Sequence, residues 1–272
     1  MNTIADKKML GEDGMTIAYY DNEKIGKDAG PTVILLHGYC GSSAYWKDVL
    51  PVLQHAGRVI VPDLRGHGAS SAPADEVYGM EDFADDIIRL MDHLYVRQAT
   101  LIGHSLGGYI TLAVAERYAE RLNGFGLVHS TAYPDSEEAK AGRDRAVETI
   151  ERDGVAAFVD GLVPKLFAPE HLESMPDQVA RVKEIGRGTS RHGAAAAARG
   201  MKARPDRNDV LKSTLLPVLL VAGGKDGVIA PERTFSVDKP NITNALLADA
   251  GHMGMIEKAD EEAAQLLQFL QS

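Results

Sequence analysis

The chain has one cysteine, Cys40, among 272 residues. No intrachain disulfide can form, which fits a reducing compartment. No Cys/His cluster has zinc-ligand spacing either, so neither a structural metal nor any other cofactor is expected. Positive charge is in short supply: 29 Lys and Arg stand against 39 Asp and Glu, a net charge of −10. That balance argues against nucleic-acid binding, which rests on neutralising phosphates. Long apolar runs are missing too. None approaches the roughly 18 residues of a membrane helix. The opening MNTIADKKML lacks the hydrophobic core of a signal segment, so a cytoplasmic protein is expected. There is no internal repeat, and the AAAAA run at 194–198 reads as good helix composition.

What is present suits one large domain, or a domain with an insertion, at 44% hydrophobic and 25% charged residues. Two short strands are expected near Lys8–Leu10 and Met15–Tyr20. Six apolar, β-rich runs follow: TVILLHG (32–38), RVIVPD (58–63), ATLIGH (99–104), GFGLVHS (124–130), LPVLLVAGG (216–224) and NALLAD (244–249). They read as strands buried on both faces. Amphipathic helical spacing separates them at 82–94 (Phe83, Ile87, Ile88, Met91, Leu94), 106–119 and 257–271. Such alternation predicts an α/β fold, a mostly parallel sheet with helices on both faces.

The alternation fails between 132 and 213. Helical segments are expected there around 137–152, 154–162, 177–188 and 191–203, broken by Pro164, Pro169, Pro176 and Gly186. Residues 132–212 hold equal numbers of basic and acidic side chains, so the rest of the chain carries the whole negative excess. The expected organisation is a core of 1–131 and 214–272 interrupted by a helical insertion at 132–213, too long for a plain loop.

Ser105 lies in Gly103-His104-Ser105-Leu106-Gly107, a G-x-S-x-G pattern. In a chain with 27 glycines the pattern alone is weak. Its setting strengthens it: an apolar strand precedes it, a helix follows, and the turn falls at the carboxyl edge where open α/β sheets bind ligands. A serine hydroxyl needs a base, and the base needs an orienting acid. His252 in DAGHMGMIE and Asp226 in AGGKDGVIAPE follow predicted strands, and the order Ser105, Asp226, His252 is the one expected for such a sheet. His37, His67, His104 and His129 compete on position, though His104 adjoins Ser105 too closely to face it. Asp249, three residues before His252 on the same loop, is the competing carboxylate and could support the base indirectly; Asp226 is the better acid because a separate strand end delivers it. Acyl transfer also needs an oxyanion hole. The backbone N–H of Leu106, directly after the serine, and that of Tyr39, in HGYCGSS, are the candidates.

Together these pieces resemble the α/β-hydrolase superfamily over nearly the whole chain, through HGYCGSS (37–43), VPDLRGHGAS (61–70), GHSLGG (103–108), GGKDGVIAPE (223–232) and GHMGMIE (251–257). The resemblance implies Ser105 as nucleophile, Asp226 as acid, His252 as base, Tyr39 and Leu106 as oxyanion residues, and 132–213 as a helical cap (lid). The nearest likeness is to small bacterial carboxylesterases and 3-oxoadipate enol-lactonases, some with a cap ending similar to RGMKARPDR (199–207). It implies a serine hydrolase of short-chain carboxylic esters. Alternatives are an enol-lactonase acting on an anionic lactone, a thioesterase, a C–C bond hydrolase, and, from another class, a slow-turnover ligand receptor with an intact triad. The expected partner is a small-molecule ester or lactone, with the chain a monomer or homodimer.

The cap offers hints about substrate. Arg181, Lys183, Arg187, Arg191, Arg199, Lys202 and Arg204 face only Glu184 within 181–204. If one or two point inward, they favour a carboxylate-bearing substrate; otherwise they form a solvated helix face. Met201, Arg204, Phe158 and Leu162 are the candidate pocket residues. Cys40 is expected to be sensitive to alkylation if exposed, and Trp46 to pack a helix on the sheet.

Overall fold

A computed structural model describes residues 2–11, 14–26 and 30–271. Its centre is an eight-stranded sheet: β1 (Lys7–Leu10), β2 (Thr16–Asp21), β3 (Thr32–Leu36), β4 (Arg58–Pro62), β5 (Ala99–His104), β6 (Leu122–Val128), β7 (Val218–Gly223) and β8 (Ile242–Leu247). The spatial order is β1-β2-β4-β3-β5-β6-β7-β8. Only the pairings of β2 with β1 and with β4 are antiparallel. Parallel strands covered on both faces must be apolar throughout, and β4, β5 and β7 are buried at every position. The run at 244–249 behaves differently. Its strand lies at the sheet edge, where Ala245 and Leu247 turn inward and Leu246 is exposed. Alternation there reflects a single covered face.

The helix Met80–His93 packs on Leu106–Arg117, and Leu50–Ala56 packs on Ala259–Leu270. Leu106–Arg117 is more enclosed than an amphipathic pattern implies: every residue from Leu106 to Ala115 is buried. It runs between the sheet, the helix Met80–His93 and the chain that follows β6, so it has little solvent face to keep polar. The 3-10 turn Ser43–Trp46 holds Trp46 fully buried and packs against β3 and β4, with the short helix Gly254–Glu257 alongside. Among the described residues, no helix is long and apolar enough to cross a membrane.

Between β6 and β7 the chain forms the helices Glu137–Asp153, Val155–Leu162, His171–Ser174, Pro176–Arg187, Arg191–Ala203 and Asn208–Ser213. Helix Arg191–Ala203 explains the alanine run. Ala194 to Ala198 are all buried, and their small side chains let the helix approach the core closely. At Gly200 an added Cβ would stand 1.6 Å from the Tyr78 carbonyl oxygen. A Gly→Ala change inside a helix gains about 1 kcal/mol of propensity. Overlap with a backbone atom costs more, typically about 1–3 kcal/mol and sometimes beyond. Gly200→Ala is therefore expected to be a net loss of roughly 2 kcal/mol, read as a lowered unfolding midpoint in denaturant with unchanged slope. A midpoint at or above the parent's would contradict that packing.

Candidate active site

Ser105 joins β5 to the helix Leu106–Arg117 at φ 51°, ψ −112°, a conformation L-residues seldom adopt. The turn is possible because the strand and helix touch. A Cβ on Gly103 would lie 2.1 Å from the Gly107 carbonyl oxygen. The main chain of the turn is pinned: Ser105 N–H donates to Val128 O (3.0 Å), and its carbonyl accepts from Ser130 Oγ (2.7 Å). Strain at this residue is thus held by the β5–β6 framework.

Asp226 follows β7, and its two carboxylate oxygens have separate tasks. Oδ1 accepts from the Val228 and Ile229 amides at 2.7 and 2.9 Å. Oδ2 accepts from His252 Nδ1 at 2.7 Å. Burial pushes this carboxyl up, but His252, His129 and the Ile229 amide outweigh it and hold it below the usual carboxylate range. The loop after β8 that carries His252 is fixed at its backbone by His252 N–H to Leu166 O, 2.8 Å. With Nδ1–H given to Asp226, Nε2 is the basic nitrogen of the ring. Ser105 and His252 border the same small cavity, of about 50 Å³. No hydrogen bond joins Ser105 Oγ to His252 among the described residues. Such contacts are often long in unliganded sites and tighten with substrate.

The other histidines have structural environments. Burial and the neighbouring His67 hold the His37 ring well below the ordinary imidazole range, and its Nε2 accepts the Leu64 amide at 3.0 Å. Burial takes His67 down to about 4. Contrary to the expectation from its place in the chain, His104 borders the Ser105 cavity. The sharp turn at Ser105 brings it there, but its Nε2 is committed to the His252 carbonyl at 2.8 Å. His129 is a different case. Burial lowers it, yet Glu262, Asp226 and Glu257 together raise it above the ordinary value. Its Nε2 meets Glu262 Oε2 at 3.1 Å, and its Nδ1 stands 3.8 Å from Asp226 Oδ2, with all three side chains fully buried. Asp249 does not support His252. It is exposed and pairs with Lys225 at 2.8 Å, because its loop turns outward.

Tyr39 lies in the loop after β3 and borders the cavity, and its hydroxyl donates to Ala194 O at 2.8 Å. Leu106 begins its helix, so its N–H is one of those a helix leaves without an internal acceptor. Cys40 is 1% exposed, and burial pushes its thiol up to about 12, so the condition for alkylation sensitivity is not met. Glu257 ties the helical stretch to the His252 loop. Its carboxylate accepts from Ala168 N (2.7 Å), His171 Nδ1 (2.6 Å) and Met253 N (3.0 Å).

Leu162 and Met201 border the small cavity, and Phe158, Leu162 and Arg204 line an adjoining one of about 480 Å³. Five others of the basic run are engaged elsewhere, and Lys183 borders neither cavity. Arg181 pairs with Asp48, Arg187 with Asp160 and Glu184, Arg199 with Glu151, and Lys202 with Asp144, while Arg191 bonds the Ile150 carbonyl. Sequence reasoning missed Arg143, which borders both cavities. Its signal lies in the fold: helix Glu137–Asp153 turns it toward Asp135, and no local pattern reveals that.

A family model described as alpha/beta hydrolase fold matches residues 31–259. A component of the acetoin cleaving system of Pseudomonas putida, a dihydrolipoyllysine-residue acetyltransferase, is 31% identical over 91% of this chain, which spans 65% of that relative's length. Among solved structures, a thermophilic esterase from Thermogutta terrifontis superposes with a TM-score of 0.89 at 31% identity, over 97% of both chains. The enol-lactonase from Burkholderia xenovorans LB400 does so with a TM-score of 0.89 at 25% identity, over 98% of this chain and 100% of its own.

Proposed function

The chain belongs to the alpha/beta hydrolase fold family, and from that premise we propose that it is a serine hydrolase cleaving small carboxylic esters through an acyl-enzyme. The observation that carries this reading is the 2.7 Å bond from His252 Nδ1 to Asp226, made beside the cavity that Ser105 enters from its strained turn. In the proposed reaction His252 Nε2 takes the Ser105 proton as Oγ attacks the ester carbonyl. Asp226 holds the ring in the required tautomer and stabilises the imidazolium. The Tyr39 and Leu106 amides receive the oxyanion. The imidazolium protonates the leaving alkoxide, and water activated by His252 then releases the acid.

The small chamber at Ser105 favours a short acyl group, and the stretch 132–213 serves as the cap over it. Lactone, thioester and C–C cleavage would use the same triad. The likeness to an enol-lactonase makes lactones the first alternative to assay.

A serine-reactive fluorophosphonate is expected to label the protein once, at Ser105, as read by intact mass and peptide mapping. Hydrolysis of p-nitrophenyl acetate should be lost in step with labelling. Labelling at another residue, or full activity after complete labelling, would sink the reading. Labelling with near-zero turnover on every ester, lactone and thioester would instead indicate a receptor.

A further inference from the structure

The larger cavity has an unusual charge for this molecule. Four cations line it, Arg143, Lys165, Arg204 and Arg233, against one carboxylate, Asp135. The chain as a whole carries −10. Asp135 is held ionised: burial raises it, but Arg143 and Arg204 draw it below the usual carboxylate range. Three positive charges are therefore left over in a concave, partly desolvated space, where they repel one another and focus an attractive field for anions.

The cations differ in what they have free. Arg204 is largely spent. Its Nη1 binds Asp135 (2.7 Å) and the Met201 carbonyl (2.9 Å), and its guanidinium carbon stacks 3.9 Å from the centre of the Tyr109 ring. Arg233 stacks on Tyr133 and reaches the Pro134 carbonyl. Arg143 gives only Nε, to Asp135 Oδ2 at 3.0 Å; its Nη1 and Nη2 have no hydrogen-bond partner among the described residues. Lys165 Nζ has none either. Asp135 thus fixes the Arg143 side chain from behind and leaves the two terminal nitrogens, the edge that binds a carboxylate through two parallel bonds. Arg143 also borders the chamber of Ser105 and His252, so a group held on it lies within one small molecule's length of the nucleophile.

We propose that Arg143 anchors a carboxylate of the substrate, with Lys165 beside it, so that the preferred substrates are esters or lactones bearing a second, ionised carboxyl group, as in the half ester of a dicarboxylic acid. This rests on the serine hydrolase reading. The anchored acid sits in the larger cavity while the scissile carbonyl occupies the small one. A neutral ester of the same length leaves the excess positive charge uncompensated.

The test compares monoethyl succinate, glutarate and adipate with the corresponding diethyl esters, following acid release at pH 7. In the parent, kcat/KM for the best half ester should exceed that of its diester by about tenfold or more at low salt, and the ratio should fall as ionic strength rises. Arg143→Gln should collapse that ratio, chiefly through KM for the half ester, and Arg143→Lys should retain part of it. A parental ratio near one, with diester hydrolysis that still depends on Ser105, overturns the anchor and leaves the hydrolase reading standing. An Arg143→Gln ratio equal to the parent's also overturns it. No Ser105-dependent hydrolysis of either series overturns both. If Arg143→Gln fails to fold, the parental ratio, its salt dependence and the Arg143→Lys ratio decide.

Discussion

Ser105→Ala is expected to lower kcat on short-chain p-nitrophenyl esters by about 10⁴- to 10⁶-fold, a barrier increase of about 5–8 kcal/mol. The size follows from what is lost. Without Oγ no acyl-enzyme forms, and hydrolysis falls back on direct attack by water in a site that still supplies oxyanion donors and binding. KM should move toward the dissociation constant of the ester, since Oγ bonds to the substrate only after binding, on the way to the acyl-enzyme. Stability should move by no more than about 0.5 kcal/mol, because Oγ has no hydrogen-bond partner among the described residues and alanine faces the same backbone strain as serine. The pair of measurements matters: a folded, stable protein with activity within tenfold of the parent would remove Ser105 from the mechanism.

Asp226→Asn is expected to cost about 10⁴-fold in kcat at neutral pH, for a reason visible in the two sides of the carboxylate. The Val228 and Ile229 amides bond to Oδ1. In asparagine they hold the carbonyl oxygen in that place, which turns the NH₂ toward His252 Nδ1. Two donors cannot face each other, so the ring shifts its proton to Nε2 and loses the lone pair that the Ser105 proton needs. Fluorophosphonate labelling should slow in parallel with turnover, because both require the activated serine. A variant that labels at the parental rate would show that Asp226 does not set the tautomer. Such a result would shift attention to His129, whose Nδ1 stands 3.8 Å from the same oxygen.

Features written in local pattern were legible, and features made by distant pairing were not. The strand runs, the turn at Ser105 and the helices Glu137–Asp153 and Arg191–Ala203 each announce themselves within a dozen residues, through burial on both faces, glycine placement or helical spacing. The helix Leu50–Ala56 does not. It has seven residues, and only Leu50 and Leu53 are buried. The basic run at 181–204 misled as a group because its partners, Asp48, Asp144, Glu151 and Asp160, lie elsewhere in the chain. Arg204 does turn inward, but through Asp135. Arg143 stayed hidden because its availability depends on what Asp135 leaves unbonded. Asp249 looked useful by its distance along the chain from His252, yet the outward turn of its loop gives it to Lys225.

The chain between β6 and β7 interrupts the run of strands in sequence, yet it is tied to the loop that carries His252. Leu166 supplies the carbonyl that holds the His252 main chain, and Ala168 and His171 occupy the Glu257 carboxylate that also steadies Met253. Removal of this stretch is expected to leave the His252 amide and the Glu257 carboxylate without these partners and so to loosen the loop after β8. The stretch that lines the cavities and the loop that carries His252 thus share one set of hydrogen bonds, so replacing that stretch alone is expected to disturb the loop as well as the cavity lining.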